Sequence, residues 1–321
     1  PILVSEYALG RRTQKNAFGA FKMLSKNKSW SLIGIFAVLA AVCVLSFYCV
    51  VGGWSVKYLV ESCKFNMPIL DSSYFTGFIS SSFAPVIYTL IFLALTGSVL
   101  VLGIQKGIER FSKVMMLLLC LLIILIAIRS VTLPGAMEGM KYLFVPNLNA
   151  LNGKALLEAL GQSFFSLSIG CGTVLTYASY VSKKENIITT SFMVAAFDTL
   201  FALVAGIAII PAVFAIAYMN GATPEIGAGP GLVFITLPSV FNAMPMGNIV
   251  AILFFVTLLI AAITSAISLM ETFVTYEIEE WKLSRTKSVL LAFAICSVLG
   301  IICSLSQGVL SNVRLFGYNI F

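Results

Sequence analysis

The chain contains no histidine and no pair of cysteines in a C-x-x-C spacing. Histidine is the commonest catalytic base and metal ligand, and closely spaced cysteines mark many zinc and redox sites. Because a nucleophile paired with a base and a phosphate-binding loop are also missing, the sequence predicts that the protein is not an enzyme. Most cysteines stand within apolar runs and are predicted to pack as small apolar residues. They are Cys43, Cys49, Cys63, Cys120, Cys171, Cys296 and Cys303.

Charged residues are also scarce, at 10% of 321 residues, whereas hydrophobic residues make up 60%. A soluble domain of this size could not hide so much apolar surface from water. Five stretches without Asp, Glu, Lys or Arg are each long enough for at least one membrane helix: Ser29–Val56, Ser72–Gln105, Ala159–Ser182, Ile226–Met270 and Ser288–Val313. With Val114–Ile128 and the runs flanking Asp198, they predict seven full transmembrane helices after a half helix at Pro1–Gly10. Residues 1–321 are expected to form a single all-α transmembrane domain.

Basic residues are concentrated in alternate loops, which predicts that these loops are cytoplasmic. The net charge of +7 therefore reports membrane topology and does not indicate a nucleic-acid surface. The predicted inner loops are Arg11–Lys28, Lys106–Lys113, Lys183–Glu185 and Glu277–Lys287. We also expect both ends to be cut from a longer chain, because Pro1 begins within an apolar segment and Phe321 follows a span.

One predicted span is interrupted by serine and glycine. Ser166–Gly172 reads Ser-Leu-Ser-Ile-Gly-Cys-Gly in the middle of Leu156–Val181. These residues weaken a helix, and freed backbone groups at membrane depth are tolerated only where protein or a water-filled cavity satisfies them. We interpret the interruption as a transport site. A glycine kink that aids packing is the alternative.

Three acidic residues, Glu6, Asp198 and Glu271, lie in or near the spans with no basic residue beside them in sequence. Charged groups in a membrane are costly and usually functional, so a bound cation or a proton is expected to neutralise them. For Asp198, in mid-span, we favour a functional role. For Glu6 and Glu271 we favour hydrogen bonds that brace neighbouring helices.

Ala261, Thr264 and Ser265 share one helical face and could offer oxygen ligands to a hard cation. Small and hydroxyl residues on a membrane helix also serve close packing or bond back to their own helix, and this alternative stays open.

Six segments together resemble the neurotransmitter:sodium symporter family, and in particular its prokaryotic amino-acid transporters. The segments are Pro1–Arg11, Lys106–Lys113, Gly161–Gly172, Thr176–Val181, Gly229–Pro238 and Thr264–Glu271. The resemblance implies a LeuT-type inverted-repeat transporter fold, here partial, running from the family's second helix to its ninth. It also implies that the first helix, which contributes ligands for sodium and substrate, precedes this sequence.

The resemblance also implies site residues. Tyr48 matches a tyrosine that contacts the substrate carboxylate, and Leu269 faces the substrate side chain. Ser166 and Asp198 match ligands of a first sodium ion, and Ala261, Thr264 and Ser265 match ligands of a second. The implied substrate pocket is formed by Val44, Tyr48, Phe165, Ser166, Ser168, Cys171, Ser265 and Leu269.

The expected function is sodium-driven import of a neutral, hydrophobic amino acid across a bacterial plasma membrane by alternating access. Chloride is expected not to be required, because Asp198 supplies a fixed negative charge near the first sodium. Expected partners are the amino acid and the lipid bilayer. Two alternatives stay open: proton-coupled or uncoupled amino-acid exchange through the same fold, and an amino-acid-binding membrane receptor without transport.

Overall fold

A computed structural model describes residues 1–64, 72–103, 110–148, 151–219, 221–224, 229, 232–242, 246–311, 313–315 and 318–319. In this part of the chain the structure is almost entirely helical. The helices are α1 (Ile2–Thr13), α2 (Ala17–Leu24), α3 (Ser31–Ser62), α4 (Ser72–Ser80), α5 (Ala84–Val101), α6 (Arg110–Val131), α7 (Ala136–Phe144), α8 (Gly153–Ser166), α9 (Thr173–Ser179), α10 (Ile187–Met219), α11 (Leu237–Asn242), α12 (Gly247–Glu280) and α13 (Arg285–Leu305). A π-helical turn at Leu232–Thr236 precedes α11, and two short strands, β1 (Arg314–Leu315) and β2 (Tyr318–Asn319), pair antiparallel.

Six helices are long and apolar enough to cross a bilayer: α3, α5, α6, α10, α12 and α13. Their outward faces are apolar as well. On α6, Leu117, Leu121 and Ile128 are each at least 60% exposed. Because these residues recur at helical spacing, they form a stripe that suits contact with lipid. Together with the interrupted pair α8 and α9, these helices account for the seven predicted spans.

Several predicted loops are partly helical. Residues 11–28 include the end of α1 and all of α2, whose first turn is capped by the Asn16 side chain. The predicted loop Glu277–Lys287 is reduced to residues 281–284, because α12 continues to Glu280 and α13 begins at Arg285. The predicted outer loops contain the short helices α4 and α7. Residues 106–109 and 230–231 of the sequence motifs lie outside the described part of the chain.

Two apolar cores hold the helices together. The first joins α3, α5, α12 and α13, and α3 makes its most extensive contacts with α12. The second connects the outer end of α3 to α10, α11 and the start of α12. At its centre, the rings of Trp54, Phe75 and Phe234 pack against one another, with Phe75 and Phe234 stacked at 5.5 Å. The two cores hold α3 and α12 together, and α9, the second half of the interrupted helix, packs against α12.

Candidate substrate and ion site

The predicted interruption is confirmed. Helix α8 ends at Ser166, and α9 begins at Thr173 after a non-helical segment, residues 167–172. Gly172 adopts a left-handed conformation, with φ of 70°, at the start of α9. The Thr272 hydroxyl on α12 donates to the Thr173 hydroxyl at 3.2 Å, so the first residue of α9 is held against α12.

The backbone of the interruption is strained and is held from outside. Ser168 has a φ of 53°, which costs a residue with a side chain about 1–2 kcal/mol. The Gly170 amide donates to the Glu6 carboxylate on α1 at 2.7 Å. Glu6 therefore braces the interruption through a hydrogen bond, as its preferred sequence interpretation predicted. A backbone group released from the helix ladder is thus satisfied by protein.

Asp198, on α10, lies beside the end of α8. The Ser166 hydroxyl is 2.7 Å from one Asp198 carboxylate oxygen and 2.9 Å from the other. Its proton can point to only one of these oxygens, and its lone pairs stay available to a third group. Within the described residues, neither Lys nor Arg pairs with Asp198. A carboxylate and a hydroxyl at this spacing are the hard oxygen donors that suit an alkali cation.

A second group of oxygens lies on α12. The Thr264 hydroxyl is 2.9 Å from the Ala261 carbonyl and 3.1 Å from the Ile260 carbonyl. Thr264 is half-buried, and Ser265 beside it is exposed. Back-bonding of Thr264 is what the packing alternative predicted. However, this hydrogen bond uses only the hydroxyl proton, so the Thr264 and Ala261 oxygens both retain lone pairs for a cation.

The predicted pocket residues are brought together in part. The Tyr48 side chain interacts with that of Ser265, which links α3 to the α12 oxygens. Val44 and Tyr48 pack against the first apolar core, to which Leu269 also belongs. Cys171 is half-buried in the interruption, and Phe165, on the last turn of α8, is 53% exposed. The Ser168 amide donates to the Phe165 carbonyl at 3.1 Å, so Phe165 is joined to the other pocket residues through its backbone.

For Glu271, the expected neutralisation by a bound cation or a proton is wrong. This fully buried carboxylate forms a bidentate ion pair with Arg285 at the start of α13, at 2.6 and 3.2 Å. It also accepts from the Tyr180 and Thr275 hydroxyls at 3.0 and 3.2 Å. Arg285 additionally donates to the Leu100 carbonyl at 2.7 Å. The preferred interpretation of Glu271 as a brace is therefore correct, and its partners are Arg285 and Tyr180.

Gly172 provides a test of the interruption. We expect Gly172→Ala to destabilise the protein by about 1–3 kcal/mol, because an alanine there is strained at positive φ. Its Cβ would also lie 3.0 Å from that of Ala17 and 3.3 Å from that of Ala37. Thermal unfolding of the purified protein in one detergent measures the effect. Gly161→Ala is the matched control, since its Cβ meets nothing within 4 Å and alanine favours the interior of α8. Equal unfolding midpoints for the two variants would contradict this geometry.

The chain is similar to known transporters over its whole length. The model of the "Sodium:neurotransmitter symporter family" matches residues 82–319. An uncharacterized sodium-dependent transporter of Bacillus subtilis (strain 168) is 41% identical, and the alignment covers 100% of this chain and 71% of that protein. One from Haemophilus influenzae is 35% identical over 100% of this chain and 72% of its own length.

A crystal structure of MhsT in complex with L-phenylalanine superimposes with a TM-score of 0.89 at 40% identity, covering 100% of this chain and 73% of that one. Because the superposition covers the whole of this chain, it extends to the order of its helices. The predicted LeuT-type transporter fold is confirmed, and the chain is a multi-pass membrane protein.

Proposed function

Because this chain belongs to the sodium:neurotransmitter symporter family, we propose that it takes part in sodium-coupled symport of a neutral, hydrophobic amino acid by alternating access. The observation that carries this proposal is the junction of α8 with α10. There, Ser166 is the last residue of α8, and its hydroxyl lies within hydrogen-bonding distance of the Asp198 carboxylate. A negative charge in a membrane protein needs a partner, and a co-transported cation supplies one during each cycle.

We assign the oxygens to a pair of sodium sites. Ser166 and Asp198 contribute to the first, and Ala261, Thr264 and Ser265 contribute to the second. The first group lies on α8 and α10, and the second lies on α12. Sodium at both sites would therefore stabilise one arrangement of the interrupted helix relative to α12. Binding of the ions and of the substrate would then favour the same conformation, which is the thermodynamic requirement for coupling.

The proposed substrate pocket is apolar with one polar end. Tyr48, beside Ser265, is proposed to contact the substrate carboxylate through its hydroxyl, and Ser166 and Ser168 offer further polar groups near the interruption. Val44, Phe165, Cys171 and Leu269 would surround the side chain. A thiol at position 171 occupies little volume, so the pocket suits a large apolar side chain. Because MhsT was crystallised with L-phenylalanine, this amino acid is the first one to test.

The experiment is uptake of labelled L-phenylalanine by the purified protein reconstituted into vesicles. At constant pH, we expect uptake with an inward sodium gradient and its loss when choline replaces sodium. Replacement of chloride by gluconate should leave uptake unchanged, because Asp198 supplies the fixed negative charge. Equal uptake in sodium and choline would indicate proton-coupled or uncoupled exchange. Binding without uptake would indicate a receptor, and either result would overturn the proposal.

A further inference from the structure

Glu277 differs from the other carboxylates of α12. It lies near the end of the helix, is 0% exposed, and neither of its carboxylate oxygens has a hydrogen-bond partner in the described part of the chain. By contrast, Glu271 pairs with Arg285, Glu279 accepts from the backbone and side-chain nitrogens of Asn16 at 3.0 and 2.8 Å, and Glu280 lies 3.6 Å from Lys22. Glu277 is therefore a buried acid without a neutralising partner among these residues.

The direction of the side chain explains this isolation. Glu277 follows Glu271 by six residues, which places it about 120° away from the Arg285 face when measured around the helix. It shares a face with Met270 and Val274, which are fully buried in the first core. Glu277 thus points into the packed interior between α12 and α13, whereas Glu271, about 1.7 turns earlier, faces Arg285.

On α13, the groups that face Glu277 are neutral. The Ser288 side chain is the polar neighbour, and its fully buried hydroxyl, like the Glu277 oxygens, has no hydrogen-bond partner within the described residues. The Cys296 thiol, two turns further along, lies within electrostatic range of the carboxyl. Arg285 is already bound to Glu271 and to the Leu100 carbonyl, and Lys287 is exposed.

Among the described residues, the other elements packed against α12 place no cation beside Glu277 either. On α6, Arg110 and Lys113 are exposed, and Arg129 lies at the opposite end of that helix, beside Thr132. On α2, Lys22 lies beside Glu280. The packed parts of α3 and α5 contain no Asp, Glu, Lys or Arg between Ser31 and Val56 or between Ala84 and Val101. On α9, Tyr177 interacts with Ser268, and Tyr180 donates to Glu271.

An ionised carboxylate in this position would cost several kcal/mol, because neither water nor a cation compensates for the lost hydration. A protonated carboxylic acid carries no charge and can be buried at far lower cost. We propose that Glu277 is a proton-binding site, occupied in this conformation, and that it releases its proton to water when the ends of α12 and α13 separate. By the distribution of basic residues, this end of α12 faces the cytoplasm.

If the packed arrangement binds the proton and the separated arrangement releases it, a rise in pH favours separation of the two helices. Cytoplasmic pH would then bias the conformational equilibrium of the protein through Glu277. This linkage depends on the packing of α12 on α13, and it does not require that either sodium or an amino acid is bound.

Infrared spectroscopy of the purified protein in lipid, recorded at neutral pH, tests the site directly. We expect wild-type protein to show the carbonyl stretch of a buried carboxylic acid, with the shift that exchange into D2O produces. Glu277→Gln should lose a band equivalent to about one carboxylic acid per chain. Glu279→Gln is the matched control and should keep that band, because it removes a carboxylate that Asn16 hydrogen-bonds at the same end of α12 and leaves Glu277 in place.

A second measurement reports the coupling. The thermal unfolding midpoint of wild-type protein should fall as pH rises from neutral to alkaline, and Glu277→Gln should flatten that fall because its amide does not ionise. An identical carbonyl band in wild-type protein and Glu277→Gln would overturn the proposal. So would a Glu277 carboxylate signal that changes when sodium replaces potassium, since the bound group would then be a metal cation.

Discussion

Replacement of Asp198 by asparagine is expected to reduce sodium-driven uptake of L-phenylalanine by about tenfold or more. The substitution keeps the size of the side chain and a carbonyl oxygen for Ser166, whose hydroxyl lies 2.7 Å from the carboxylate, but it removes the negative charge. A tenfold change corresponds to about 1.4 kcal/mol, a modest part of what a charge–cation contact contributes away from water. Uptake is measured in vesicles at saturating and at limiting sodium.

The loss of uptake should be specific to the Asp198 charge and should not follow the removal of a carboxylate elsewhere on the protein. Glu158→Gln is the matched control, because Glu158 lies on α8, is 69% exposed and makes only a 3.8 Å surface contact with Lys154. This variant should transport at the wild-type rate. Added chloride is expected to restore part of the activity of Asp198→Asn, since a mobile anion can replace the fixed one. Wild-type uptake by Asp198→Asn, with unchanged sodium dependence, would exclude Asp198 from the ion site.

Arg285→Ala is expected to have the largest effect on stability. Removing one partner of a buried ion pair leaves an uncompensated charge and costs about 3–5 kcal/mol. Here the stranded group would be Glu271, which is 0% exposed, and the hydrogen bond from Arg285 to the Leu100 carbonyl would be lost as well. We expect a clear fall in the thermal unfolding midpoint, whereas Lys287→Ala on the exposed face of α13 should leave it unchanged.

A double variant separates the ion pair from simple loss of packing. Glu271→Gln combined with Arg285→Ala removes the stranded charge, so the double variant should be more stable than Arg285→Ala alone. If the losses of unfolding free energy caused by the two substitutions are instead additive, the ion pair does not stabilise the protein. The attachment of α13 to α12 would then have to come from packing.

The interruption in α8 and α9 could be predicted because its cause is local. Glycine and serine weaken a helix wherever they stand, and no charge interferes with the pattern between Ala159 and Ser182. The sequence also predicts the braces by Glu6 and Glu271, since most buried carboxylates accept a hydrogen bond.

The partner of Glu271 could not be predicted in this way. In sequence, Arg285 resembles the other basic residues of a cytoplasmic loop. Its guanidinium reaches Glu271 only because α13 folds back along α12. Residues fourteen apart in sequence then come together, with a guanidinium nitrogen 2.6 Å from a carboxylate oxygen. A long side chain that starts near the membrane surface and extends inward carries no local signal.

The surroundings of Glu277 could not be predicted for a related reason. Because it is followed by Glu279 and Glu280, the sequence predicts that it begins the charged loop Glu277–Lys287. The helix continues to Glu280, and its rotation turns these three residues toward different neighbours. The short helices α4 and α7 were missed because helices of nine residues show too few turns for a periodic pattern to appear.

The central claim is that sodium and an amino acid bind together at the interrupted helix. Equilibrium binding of labelled L-phenylalanine to the purified protein, measured over a range of sodium concentrations with choline as the replacement, tests it without any need for transport. We predict that the affinity rises with sodium concentration and that Ser166→Ala weakens this dependence. Equal affinity in sodium and in choline would contradict the claim.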